Sequence, residues 1–154
     1  MKQGLLLLAL VGLPTHAAAE QVYLLATAGL NDTTMAQSIF LSEPAITDLQ
    51  GCREALRQGQ RHGDWLQYHH VLRKDRMQGF TVQMQYRCVT SRQAIEPWFD
   101  RARYSHPYLI RVDDQSRLDV RPMQSMAACM GIYRALAPDE QARSHCAKGN
   151  QRLR

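Results

Sequence analysis

Outside its first residues, the 154-residue sequence has no apolar run approaching the roughly 20 residues that a membrane-spanning helix needs, which predicts no transmembrane segment. It has no CxxC pair and no Cys/His cluster at zinc-site intervals, so no metal or other cofactor is signalled. It also lacks HExxH, GxSxG and a glycine-rich phosphate loop, which removes the motif-based arguments for a metalloprotease, a serine hydrolase or a nucleotide binder. No residue can be named as catalytic on such grounds, and no specific nucleic-acid motif is present. The first cysteine is Cys52, too far from the N-terminus to carry a lipoprotein acyl anchor. Aromatic residues make up only 7 %, so a small domain must bury most of those it has.

What is present begins with an address. Lys2, the apolar stretch 5–13 and the small residues Ala17, Ala18 and Ala19 predict a signal peptide over residues 1–19 and a single exported domain over 20–154, periplasmic or secreted. Four cysteines, an even number in an exported chain, read as two disulfides. The expected pairing is Cys52 with Cys88 and Cys129 with Cys146, because each bond then joins a helix to the next cysteine-bearing element. The formal net charge is +5, supplied mostly by arginine, which favours planar contacts to carboxylate or phosphate but equally serves a solvated surface.

The clearest element is the stretch 79–91, GFTVQMQYRCVTS. Its period of two predicts a strand with Phe80, Val82, Met84, Tyr86 and Cys88 on a core side and Thr81, Gln83, Gln85 and Arg87 facing water. The stretch 64–74 predicts a partner strand, placing Trp65 opposite Arg87, Gln67 opposite Gln85 and His69 opposite Gln83. Two further hairpins are expected, 21–27 with 37–41 and 107–112 with 118–121. Helices are expected over 48–58, from Pro97 to about 103, and from Met126 to Leu136 with Ser125 as N-cap; a last helix from Pro138 should carry Cys146 and stop at Gly149. Tyr23-Leu24-Leu25 and Tyr108-Leu109-Ile110 open two halves of similar outline, but unequal spacing argues against a strict repeat. The fold class implied is α+β, a mainly antiparallel sheet with helices packed on one face, stabilised by two disulfides.

Two surfaces stand out as binding candidates. One is the polar face of the 64–91 hairpin, Trp65, Gln67, His69, Gln83, Gln85 and Arg87, where Trp and Arg offer large contact areas and Gln and His offer hydrogen bonds at modest desolvation cost. The other is the hairpin tip, where Arg73, Lys74 and Arg76 gather positive charge that suits an anion and also blunts edge pairing. Adjacent histidines on a strand point to opposite faces, so His69 and His70 do not chelate one ion. Trp98 and Phe99 read as a lid over the core or an anchor for a partner, and Met123, Met126 and Met130 as core filler. The function expected is a non-enzymatic periplasmic binding or interaction protein, such as an accessory or inhibitor-like factor for another envelope protein. The alternatives are a small exported hydrolase using His and Arg on a phosphorylated or polysaccharide substrate, and an electrostatic binder of anionic envelope polymers.

Overall fold

Val22, Tyr23, Leu24, Leu25 and Ala26 are all buried, so this strand has protein on both faces, as a continuous apolar run requires. It belongs to β1 (Gln21–Leu30), which pairs antiparallel with β2 (Ala36–Leu41), Leu24 opposite Leu41 and Ala26 opposite Ile39. The computed structural model describes residues 19–30, 36–62, 82–99 and 102–154. The strand expected over 64–74, with Trp65, Gln67, His69, Arg73, Lys74 and Arg76, lies outside the described residues, as does the leader apart from Ala19.

After β2, Asp48 accepts a hydrogen bond from Gly51 N (2.7 Å) and starts α1 (Leu49–His62). The helix runs past Gly59, where the sequence predicts its end. Glycine costs only about 1 kcal/mol inside a helix, and Glu54 is ion-paired to Arg57 and approached by Arg61 on the exposed side. Next come β3 (Val82–Ser91), β4 (His106–Val112) and β5 (Leu118–Pro122). Then α2 (Met126–Ala135) begins at Ser125, whose hydroxyl accepts from Ala128 N (3.0 Å), and is followed by α3 (Pro138–Ala142) and β6 (Ser144–Gly149).

Two expectations fail here. Residues Pro97, Trp98 and Phe99 form no helix. The helix opened by Pro138 ends at Ala142, and Cys146 sits on a strand, because Ser144-His145-Cys146-Ala147-Lys148 alternates with period two and pairs with β4, Leu109 opposite Cys146. Pro138, Asp139 and Glu140 do open a helix, but a start signal does not set its length.

The six strands form one mixed sheet in the order β3-β1-β2-β6-β4-β5, antiparallel except where β2 meets β6. The sheet curls until its outermost strands touch: Thr90 bridges Arg117, Thr90 N donates to Ser116 O (2.9 Å), and Ser91 Oγ donates to Leu118 O (3.1 Å). All six strands send side chains into one enclosed cluster, including Tyr23, Leu25, Phe40, Val89, Tyr108, Ile110, Val120 and Ala147. The helices belong to two separate clusters. Cys52 of α1 joins Val22, Leu24, Ala26, Ile39, Leu41 and Cys88, while Cys129 of α2 joins Leu109 and Cys146. Disulfides Cys52–Cys88 and Cys129–Cys146 fasten the two helices, each with Cα atoms 5.9 Å apart. Trp98, Met123, Met126 and Met130 pack partly buried against these clusters, whereas Phe99 is exposed.

The halves match far more closely than their spacing suggests. Each is hairpin, helix, strand, and in each the third strand pairs with the first, giving the half-orders β3-β1-β2 and β6-β4-β5. Leu24 faces Cys88 and Leu109 faces Cys146 across these pairs. The sulfur of Cys52 lies 4.0 Å from the Tyr23 carbonyl, and that of Cys129 lies 3.4 Å from the Tyr108 carbonyl. Tyr23 OH donates to Gln21 Oε1 and lies 3.4 Å from Gln93 O, while Tyr108 OH donates to Gln151 O at 2.8 Å. Gln93 clamps the backbone N–H and C=O of Val120, and Gln151 clamps those of Phe40. The two tails then meet each other, Ile95 bridging Leu153, Glu96 N donating to Arg152 O and Arg154 N to Ala94 O. Among the described residues the two halves thus repeat one arrangement of strand pairing, helix, disulfide and glutamine clamp.

Candidate functional site

Superposing the halves by these pairings sets Tyr23 against Tyr108, Val120 against Phe40 and Cys88 against Cys146. Following the same alignment along the strands, Thr27 corresponds to Val112, Ser38 to Leu118 and Arg87 to His145. At the tyrosine end the enclosed space is filled in both halves. At the other end the second half keeps apolar residues, Val112 and Leu118, both buried. The first half has hydroxyls instead, and a cavity of about 650 Å³ opens there. Its lining is Thr27 and Gly29 of β1, Ala36 of β2, Gln83, Gln85 and Arg87 of β3, Ala142, Arg143, and Ser144 and His145 of β6.

Strand alternation places these groups. Gln83, Gln85 and Arg87 share a side with Val89, which is fully buried in the enclosed cluster, while Met84, Tyr86 and Cys88 pack with α1. The side of β3 expected to face water is core at Val89, while Gln83, Gln85 and Arg87 are exposed as expected and form the wall of the open cavity. His145 shares a side with Ala147 in the same way. The imidazole Nε2 lies 3.2 Å from Ser38 Oγ and 3.4 Å from Thr27 Oγ1, and the two hydroxyls share a hydrogen bond of 2.8 Å. Burial, and after it the positive charge of Arg87, pushes the pKa of His145 down to about 4, so the ring is neutral near pH 7.

Among the described residues two guanidinium groups and no carboxylate line the cavity. Arg143 is held by Asp114 at 2.9 Å, and Glu140 beside it faces Arg111 at 3.7 Å. Among the described residues no carboxylate lies within ion-pair distance of Arg87. Ser38 is almost wholly buried beneath the cavity floor and is not among its lining residues. Among the described residues no three His, Cys, Asp or Glu side chains gather as a metal-binding group.

Of the six residues singled out as a polar face, Gln83, Gln85 and Arg87 come together at this cavity; Trp65, Gln67 and His69, like Arg73, Lys74 and Arg76, lie outside the described residues. Sequence reading missed Thr27, Ser38 and His145. The usable signal was the alternation of residues 144–149, which assigns His145 and Ala147 to one side of a strand. No described helix is long and apolar enough to cross a membrane. Comparison with protein-family models, with curated proteins and with solved structures returns no match.

Proposed function

We propose that this chain is a non-enzymatic exported binding protein, delivered by the leader at residues 1–19, whose ligand occupies the open polar end of the curled sheet. In this reading α1 and α2 both lie on the outward side of the sheet, so the inward side is left for the ligand at the end where Thr27 and Ser38 replace apolar filling. The observation that carries the proposal is the cavity of about 650 Å³ with amide, hydroxyl, imidazole and guanidinium groups converging on it. Mouths of curled sheets are recurrent ligand sites, and this volume lies in the range of small-molecule pockets. Two disulfides fit folding in an oxidising compartment.

Binding is favoured over hydrolysis by the company His145 keeps. Among the described residues its partners are two hydroxyls, no carboxylate lies in the lining to orient or charge it, and the nearest hydroxyl, Ser38, is almost wholly buried and outside the lining. The test is a fragment screen read by amide chemical shifts. Hits whose perturbations converge on Thr27, Gly29, Gln85, Arg87 and His145 support the reading; a screen whose hits cluster elsewhere, with these amides silent, overturns it.

A further inference from the structure

We infer that the cavity takes a small polar molecule bearing one oxyanion group, carboxylate or phosphate, with the Arg87 guanidinium as its counter-charge. The inference rests on the binding reading above and adds the chemical class of the ligand. Three observations carry it.

The first is charge bookkeeping within the lining. Arg143 already has Asp114 at 2.9 Å, and no described carboxylate reaches Arg87. A guanidinium presents a planar fork of donors that matches an oxyanion in two parallel hydrogen bonds. The second is the composition around it. Gln83 and Gln85 stand on the same side of β3 as Arg87 and add neutral amide donors and acceptors, which suits a ligand whose remaining body is hydroxylated or amide-bearing. The third is the contrast between the halves. Val112 and Leu118 show how this end of the unit closes with apolar side chains, yet at the corresponding sites the first half sets the half-buried Thr27 and the buried Ser38 against His145. Apolar filling stabilises a fold and buried hydroxyls cost stability unless partnered, so the polar version is a departure from the simplest packing, of the kind found where a ligand is held. The neutral imidazole contributes hydrogen bonding without a second charge, which leaves Arg87 to set the sign of the ligand.

The probes are glucose, glucuronate and glucose 6-phosphate, one pyranose body with no charge, a carboxylate or a phosphate. Amide shifts of the ¹⁵N-labelled protein are followed during titration. The expected result is saturable movement of Gly29, Gln85, Arg87 and His145 signals with at least one anionic probe, at an affinity about tenfold or more above that for glucose, in line with a charge-assisted hydrogen bond. The preferred anion distinguishes carboxylate from phosphate. Arg87→Gln should lose about tenfold or more of that affinity, Arg87→Lys should lie between, and Arg121→Gln, an exposed arginine outside the cavity with the same change in net charge, should match the wild type. Glucose binding at these amides as tightly as either anion overturns the oxyanion assignment and leaves the binding reading standing. Equal losses in Arg87→Gln and Arg121→Gln overturn it as well, by reducing the effect to net charge. Silence of these amides with all three probes overturns the inference and the binding reading together. Should Arg87→Gln fail to fold, Arg87→Lys carries the comparison, with unchanged affinity counting against the fork.

Discussion

Arg87 and His145 stand at matching places in the two halves of the chain, each one residue before the disulfide cysteine of its strand, and both line one cavity. The two halves have thus put a permanent cation and a neutral imidazole at equivalent positions. The difference between them is what gives the cavity its polarity.

The suppressed protonation of His145 ties stability to pH. Its pKa is about 6.5 in the unfolded chain and about 4 in the fold, so the unfolded state binds more protons between those values. The contribution is fully present above about pH 6.5 and is lost as pH falls toward about 4, by at most about 3 kcal/mol. Glu54 and Asp113, both held below the usual carboxylate range, also lose stabilisation in acid. The His145 share is therefore read as a difference: urea midpoints of wild type and His145→Gln, compared across that window, should converge as pH falls. Parallel curves would remove the coupling.

Each disulfide should hold its helix to its own half. The bonds span 36 and 17 residues, for which chain entropy gives about 4 and about 3 kcal/mol. Paired Cys→Ala replacement at Cys52 and Cys88, and separately at Cys129 and Cys146, should lower the thermal midpoint in that order, measured by circular dichroism.

The glutamine clamps should be costly to remove, and unequally so. Gln151 is buried and satisfies Phe40 N and O at 2.8 Å each, with a further hydrogen bond to Glu96 O at 2.7 Å. Gln151→Ala orphans buried backbone groups and should cost about 2–4 kcal/mol. Gln93 makes the equivalent pair to Val120 in a less buried setting, and Gln93→Ala should cost about 1–3 kcal/mol. Equal losses in urea unfolding, or none, would count against the clamps.

Gly149 marks a place where the halves differ by necessity. A Cβ there would sit 3.0 and 3.2 Å from the Tyr108 ring. Gly149→Ala should cost about 1–3 kcal/mol through displacement of that ring, seen as a shift of the urea midpoint. A neutral substitution would show that Tyr108 yields freely.

Much of the local structure was legible in the sequence. The hairpins around residues 30–36 and 113–117 follow from turn residues between β-rich runs, Ser125 caps α2 as its position predicts, and the cysteines are joined helix to following strand. What escaped was long-range. Period two says that Gln83, Gln85 and Arg87 share a side, and all three are solvent-exposed as expected, but only the curl that brings Thr90 to Arg117 decides that this side also lines a cavity and is buried at Val89. The likeness of the halves escaped because corresponding elements recur at unequal separations along the sequence. His145 was obscured by a helix-start signal four to seven residues earlier, which says where a helix begins and nothing about where it stops.

Both disulfides lie within a half, and neither crosses between them. Apart from the connection that leads from β3 to β4, the halves are held to each other among the described residues by non-covalent contacts: strand pairing, the shared apolar cluster, the Gln93 and Gln151 clamps, the hydrogen bonds of His145 and the Ile95–Leu153 seam. Cleavage in that connection would therefore yield two pieces, each carrying its own covalent crosslink, that are free to separate and reassociate.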